Sequence, residues 1–235
     1  MTPATPRFAA VMGIAFAVLF VAAMVTVNGV PHLSAPVADY GAFYDGAGNT
    51  LVTAVAIYLV PLAGIAFLWF VVAMRSVLDT LESTPSAMAH GLNLLSGVLF
   101  VALLFAGTAA LATPVLMTTI GGGAPLAPDT ARALSALGYG LVFLFSVRGA
   151  GMFALTTTTL LRGAGIMPRG VAVVGYALAT WLLVTATDHP ASLLVLPAWV
   201  LLVAVVLLRH GRQAPAGTDP PPVDPIPTST ADTTR

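Results

Sequence analysis

Long apolar runs, separated by short turns that carry single arginines, leave fewer folds open to this chain than any other feature. A helix needs about 20 mainly apolar residues to cross the hydrocarbon core, which is about 30 Å thick, because each residue advances it by about 1.5 Å. Six segments meet or approach that length: 8–30, 50–74, 91–117, 133–161, 171–187 and 191–208. The chain therefore reads as an all-α, polytopic bundle of about six transmembrane helices filling 1–208, followed by a disordered, proline-rich tail at 209–235. Composition agrees: 58% of the 235 residues are hydrophobic and 8% are charged, against about 25% charged in soluble domains.

Local signals mark where the helices begin. Thr5-Pro6 offers a cap and a first-turn proline, and Pro128-Asp129 does the same with an acid at the positive helix end. Arg7 before an apolar stretch also suits a signal peptide, but the stretch outruns the about 7 to 15 residues of a signal core, which favours a retained helix. Pro61 lies inside the second segment and should disturb that helix. Asp188-His189-Pro190 separates the fifth segment from the sixth, since one helix through both would be nearly twice a bilayer's thickness.

Cations near helix ends stay on the cytoplasmic side. The chain has no lysine, so its fixed cations are nine arginines. A cytoplasmic N-terminus keeps Arg7, Arg75, Arg162, Arg169, Arg209 and Arg212 inside and exports Arg132. An even number of crossings then places both termini in the cytoplasm, in the inner membrane of a bacterium whose Arg-only, Ala-rich usage fits a GC-rich genome. Three spans followed by three would give inverted halves, as in many transporters, yet 8–117 and 133–208 share no matching sequence.

Arg148, within Phe145-Ser146-Val147-Arg148-Gly149, is the one charge inside a predicted span. At the centre of a bilayer a cation costs about 2.5 to 3.5 kcal/mol on insertion scales, so something must offset it. An anion, a lipid headgroup or a water-filled cavity would do so, and so would helix carbonyls or an acid from a loop. The expected partner is an acid of the first external loop, 31–49: Asp39 or Asp45, with Tyr58 and Tyr139 as neutral alternatives. Gly138, Gly140, Gly149, Gly151 and Ala154 should let neighbouring helices approach closely, and Thr156 to Thr159 should bond back to carbonyls one turn earlier.

Several classes of function lose support from the same residues. Without cysteine there are no disulfides, thiolate sites or thiol nucleophiles. Singly placed arginines argue against a nucleic-acid partner, which needs clustered cations. No predicted span holds Asp or Glu, which disfavours proton-coupled carriers and aspartyl proteases of the membrane. The four histidines, His32, His90, His189 and His210, sit in loops or at helix ends rather than as axial haem ligands. His32 with Asp39 and Asp45 lacks the spacing of a metal site, and Gly121-Gly122-Gly123 lacks the Lys-Ser/Thr of a phosphate loop. No cofactor, metal or catalytic residue is expected.

The run Tyr58-Leu59-Val60-Pro61-Leu62-Ala63-Gly64-Ile65-Ala66-Phe67-Leu68-Trp69-Phe70, ending at Arg75, and the stretch 148–175 with its Met167-Pro168-Arg169 turn, resemble a group of uncharacterised bacterial multi-pass membrane proteins. The resemblance covers the second to the fifth segment. It implies a compact helical membrane protein and brings no activity, cofactor or site residue with it.

Three functional readings remain. The leading one is a non-enzymatic membrane protein, structural or accessory, or one that binds a lipid or another hydrophobic ligand. Its partners would be membrane lipid together with another protein or a second copy of itself. The second is a small transporter with a midplane polar site at Arg148. The third is a lipid-acting enzyme built on the external loop 31–49.

Overall fold

In a computed structural model the chain is all helical, and the described residues, 5–27, 35–36, 38–39, 42–43, 48–80, 87–124, 126–185 and 193–213, contain no strand. Helix α1 (Pro6–Val27) opens as the sequence suggests, with the Thr5 hydroxyl accepting a hydrogen bond from the Phe8 amide at 3.3 Å. The next rod is continuous but of three pieces: α2 (Gly48–Ala54), a π-helical turn π1 (Val55–Leu59) and α3 (Val60–Asp79). Helix α4 (Ala87–Thr119) is a single rod with Pro114 inside it. A second composite rod joins α5 (Pro128–Tyr139), a π-helical stretch π2 (Gly140–Ser146) and α6 (Val147–Gly163). Two shorter helices follow, α7 (Arg169–Val184) and α8 (Val195–Gln213).

Among the described residues, four helices are long and apolar enough to cross a membrane: Pro6–Thr26, Thr50–Asp79, Ala87–Thr119 and Pro128–Gly163. The predicted boundaries move at most ends. Arg75 does not close the second helix, which runs on to Asp79 and pairs the two residues one turn apart at 3.9 Å. The third and fourth begin earlier than 91 and 133, the fourth at Pro128 with Asp129 in its first turn. The fifth stops at Val184 instead of 187, because Thr185 is already extended. The sixth starts at Val195 and continues through Arg209 to Gln213, so the proline-rich segment proper, 214–235, lies outside the described residues.

The turns have plain physical causes. A proline has no amide to donate, and its ring crowds the carbonyl one turn back. The chain meets Pro61 by opening π1 immediately before it, so that Pro61 falls in the first turn of α3. Between α6 and α7, Gly165 takes φ +73° while the Ile166 and Met167 amides both donate to the Leu161 carbonyl. A left-handed residue is what this closure of a helix end requires, and glycine adopts it without a Cβ clash.

Helix α1 packs on α3 and α8, α4 on α5, π2, α6 and α3, and α6 on α7. Seven aromatic side chains meet at the centre: Phe16 and Phe20 of α1, Phe67 and Phe70 of α3, Phe100 of α4, Phe153 of α6 and Trp199 of α8, each almost fully buried. Phe67 lies 4.9 Å from Phe16, 5.0 Å from Phe100 and 5.0 Å from Phe153, ring centre to ring centre. Edge-to-face and tilted pairs of this kind contribute about 0.5 to 1.5 kcal/mol each beyond the area they bury.

The bundle is stepped in length. A Cβ on Gly149 would meet the backbone of Phe100 at 3.1 Å, and one on Gly151 would meet Leu183 and the Ala179 carbonyl at 2.9 and 3.1 Å. Those contacts place the C-terminal end of α7 level with Phe100, and through the ring contacts with Phe67 and Phe16, at the middle of α1. Beyond that level α4 and the α2–α3 rod each continue for about 28 Å, and the α5–α6 rod for about 31 Å, at 1.5 Å per residue. Helix α7 thus lines only the half of the bundle that holds Arg75, Arg162 and Arg209.

Candidate functional site

Two polar insertions interrupt the apolar helices, and the structure treats them oppositely. The first is Asn93 of α4, which is buried. Its amide nitrogen donates to the Thr157 hydroxyl at 2.7 Å and the Thr156 hydroxyl at 3.0 Å, both on α6. Ser96, one turn on, closes against its own helix through the Leu92 and Asn93 carbonyls. Thr156, Thr158 and Thr159 bond back to Met152, Ala154 and Leu155, as hydroxyls in apolar helices commonly do. Thr157 serves instead as an acceptor for Asn93. Sequence reasoning passed over Asn93, although an amide among leucines, sixty residues from a threonine run, was the signal available.

The second insertion is Arg148, and it is exposed. It follows π2, whose helix bonds reach one residue further than those of an α-helix and so loosen the carbonyls around it. The Ser146 hydroxyl donates to the Val142 carbonyl at 2.7 Å, and the Arg148 guanidinium donates to the Leu144 carbonyl at 2.6 Å. Of the alternatives weighed from sequence, a bond to helix carbonyls is the one seen among the described residues. The guanidinium presents five N–H donors, so four remain beyond that bond among the described residues. It points toward the N-terminal end of its rod, back over π2. Leu144 and Phe145 on one side are exposed, and Met152 and Leu155 on the other are half-buried.

The two candidate tyrosines stand away from it. Tyr139 is half-buried and stacks on Phe143 at 5.1 Å, with the rings 17° from parallel. Nine residues separate Tyr139 from Arg148 along one rod, about 14 Å at the helical rise. Tyr58 is exposed and stands nine residues from Phe67, which is level with Arg148, so it is displaced by a similar distance. Asp39 is exposed, and its amide donates to the Pro36 carbonyl at 3.0 Å. Asp45, His32 and His189 lie outside the described residues.

The glycines around Arg148 meet two different helices rather than forming one face. Gly138 abuts Leu111 and the Gly107 carbonyl of α4, Gly149 the backbone of Phe100, and Gly151 helix α7, while Gly140 faces open space. Ala154 is fully buried in the core. Glycine at 149 and 151 allows approaches that a side chain would prevent, and these approaches fix the register of α4, α6 and α7.

A shallow recess of about 500 Å³ lies on the outward face of α7, lined by Tyr176, Ala177, Thr180, Trp181, Val184 and Thr185. It is open and mainly apolar, and Arg148 is not part of it. Comparison with protein-family models, with curated proteins and with solved structures finds no match.

Proposed function

We propose that this chain is a non-enzymatic accessory protein of a bacterial inner membrane that works through its lateral surface rather than through a central pathway. The observation that carries this reading is the aromatic centre. At the level of the middle of α1, where a carrier would hold its solute, Phe16, Phe67, Phe100, Phe153 and Trp199 fill the space between the helices. At that same level the cation is on the outside. A midplane solute site at Arg148 would need the side chain turned inward against Gly149, which already touches the backbone of α4.

In this reading the four long helices cross the bilayer, α7 and α8 line only its cytoplasmic half, and both termini are cytoplasmic. Helix α7, of 16 residues, is about 24 Å long, shorter than the hydrocarbon core, and its C-terminal end stands at the level of the middle of α1. A chain free of cysteine lends itself to single-cysteine labelling. Gly122→Cys should react with an impermeant maleimide added outside, and Leu194→Cys should not. Labelling of both would instead make α7 and α8 a fifth and a sixth crossing, and labelling of Arg7→Cys from outside would invert the topology.

Purified protein in vesicles should pass no more anionic solute than empty vesicles do. Uptake that is saturable and lost in Arg148→Gln would replace the accessory reading with the carrier.

A further inference from the structure

We infer that the Arg148 face is a docking surface for a transmembrane helix of another protein, one that carries a carboxylate inside its own span. The inference rests on the proposed membrane reading and names the partner class that reading leaves open.

Depth is the first argument. Gly149 touches Phe100, and the ring contacts run from Phe100 through Phe67 to Phe16, the middle of α1. A guanidinium at that level, on the outside, meets acyl chains rather than headgroups or bulk water. It also sits within an apolar stripe and not at its edge. Leu144 and Phe145 continue the stripe on one side, and Met152 and Leu155 on the other.

Charge is the second argument. One N–H of the guanidinium is held by the Leu144 carbonyl, and the others call for acceptors at the same depth. A carboxylate suits the planar fork best, because it can accept two parallel hydrogen bonds. Within the membrane the pairing of opposite charges is the usual way such a residue is accommodated. A second copy of this chain does not supply the acid from its described long helices, since Asp79 and Asp129 sit at helix ends, far from the level of Arg148.

The test uses the full chain in phosphatidylcholine vesicles with synthetic Leu/Ala transmembrane peptides that differ at one central residue, Glu or Gln. Association is read by energy transfer between labelled peptide and labelled protein. The Glu peptide should bind about tenfold more tightly than the Gln peptide, the scale of one interhelical hydrogen bond between model peptides. Arg148→Gln should remove that difference, and Arg148→Lys should restore part of it. Equal binding of the two peptides overturns the proposal, and so does a Glu preference that survives Arg148→Gln. Arg148-dependent self-association without peptide, or a Glu preference that appears only in Asp188→Asn, also overturns it. In those cases the cation is already met by a second copy or by the chain itself. Extraction of the protein into alkaline carbonate without detergent would instead sink the integral-membrane reading, a separate failure.

Discussion

Asn93 and Arg148 are both polar residues in apolar helices, and they are separated along the bundle by only a few turns, yet one is sealed inside and the other stands outside. The amide finds two hydroxyl acceptors on the facing helix, so burial costs it little and ties α4 to α6. The guanidinium carries a charge and more donors than one helix can satisfy, and here it has the Leu144 carbonyl. A neutral group can be matched by its own fold, whereas a full charge at that depth asks for something beyond it. The buried Asn93 amide therefore reports helix packing, and the exposed Arg148 guanidinium reports what the bundle meets.

That contrast can be broken or sharpened by substitution. The largest effect should come from the apolar surroundings that both residues share: Phe67→Ala removes the ring at the hub of the aromatic centre. It should lower stability by about 3 to 5 kcal/mol in a reversible detergent or urea unfolding assay. A loss under 1 kcal/mol would mean that the centre is loosely filled and that the case against a central pathway is weak.

Next is Arg148→Leu. In a translocon assay of the isolated 133–161 segment, insertion should become more favourable by about 2.5 to 3.5 kcal/mol. Unfolding of the whole protein should change little, because among the described residues the side chain bonds only within its own rod. Destabilisation comparable to that of Phe67→Ala would show that Arg148 is a structural tie after all.

Smaller still is Asn93→Leu, which takes both hydroxyl bonds from the α4–α6 seam. The expected loss is about 0.6 to 1.7 kcal/mol, the range measured for hydrogen bonds between membrane helices, and Thr157→Val should cost no more once Asn93 is gone. Additive losses from the two would separate residues that the structure joins. Smallest is Tyr176→Phe, which deletes the exposed 3.2 Å bond to Thr159 between α6 and α7. Its cost should stay below about 0.5 kcal/mol in the same assay.

Much of the helical order was legible from the residues, for reasons that act locally. Thr5-Pro6 and Pro128-Asp129 start helices because capping and dipole terms act within one turn. The apolar run lengths gave six helical segments, of which the structure makes four long enough to cross a membrane by length and composition. Pro61 announced a disturbance, though not that a π turn would absorb it. Boundaries such as Asp79 and Gln213 escaped, because a helix can continue past its apolar stretch wherever Arg and Asp pair one turn apart or solvent takes the last carbonyls.

The site was legible only as a residue. Hydropathy along the chain exposed Arg148 as the charge out of place, since the transfer cost of a cation depends on its neighbours in sequence. Which way that side chain faces is set by the crossing of α4, α6 and α7, and those crossings are fixed at Gly149 and Gly151, where backbones touch. The same helix crossings bring Asn93 to Thr157 across more than sixty residues. Composition and run length decide that this chain belongs among helices and lipid, because both are sums over neighbours. Inside against outside is decided only in three dimensions, because it is a property of which helices meet.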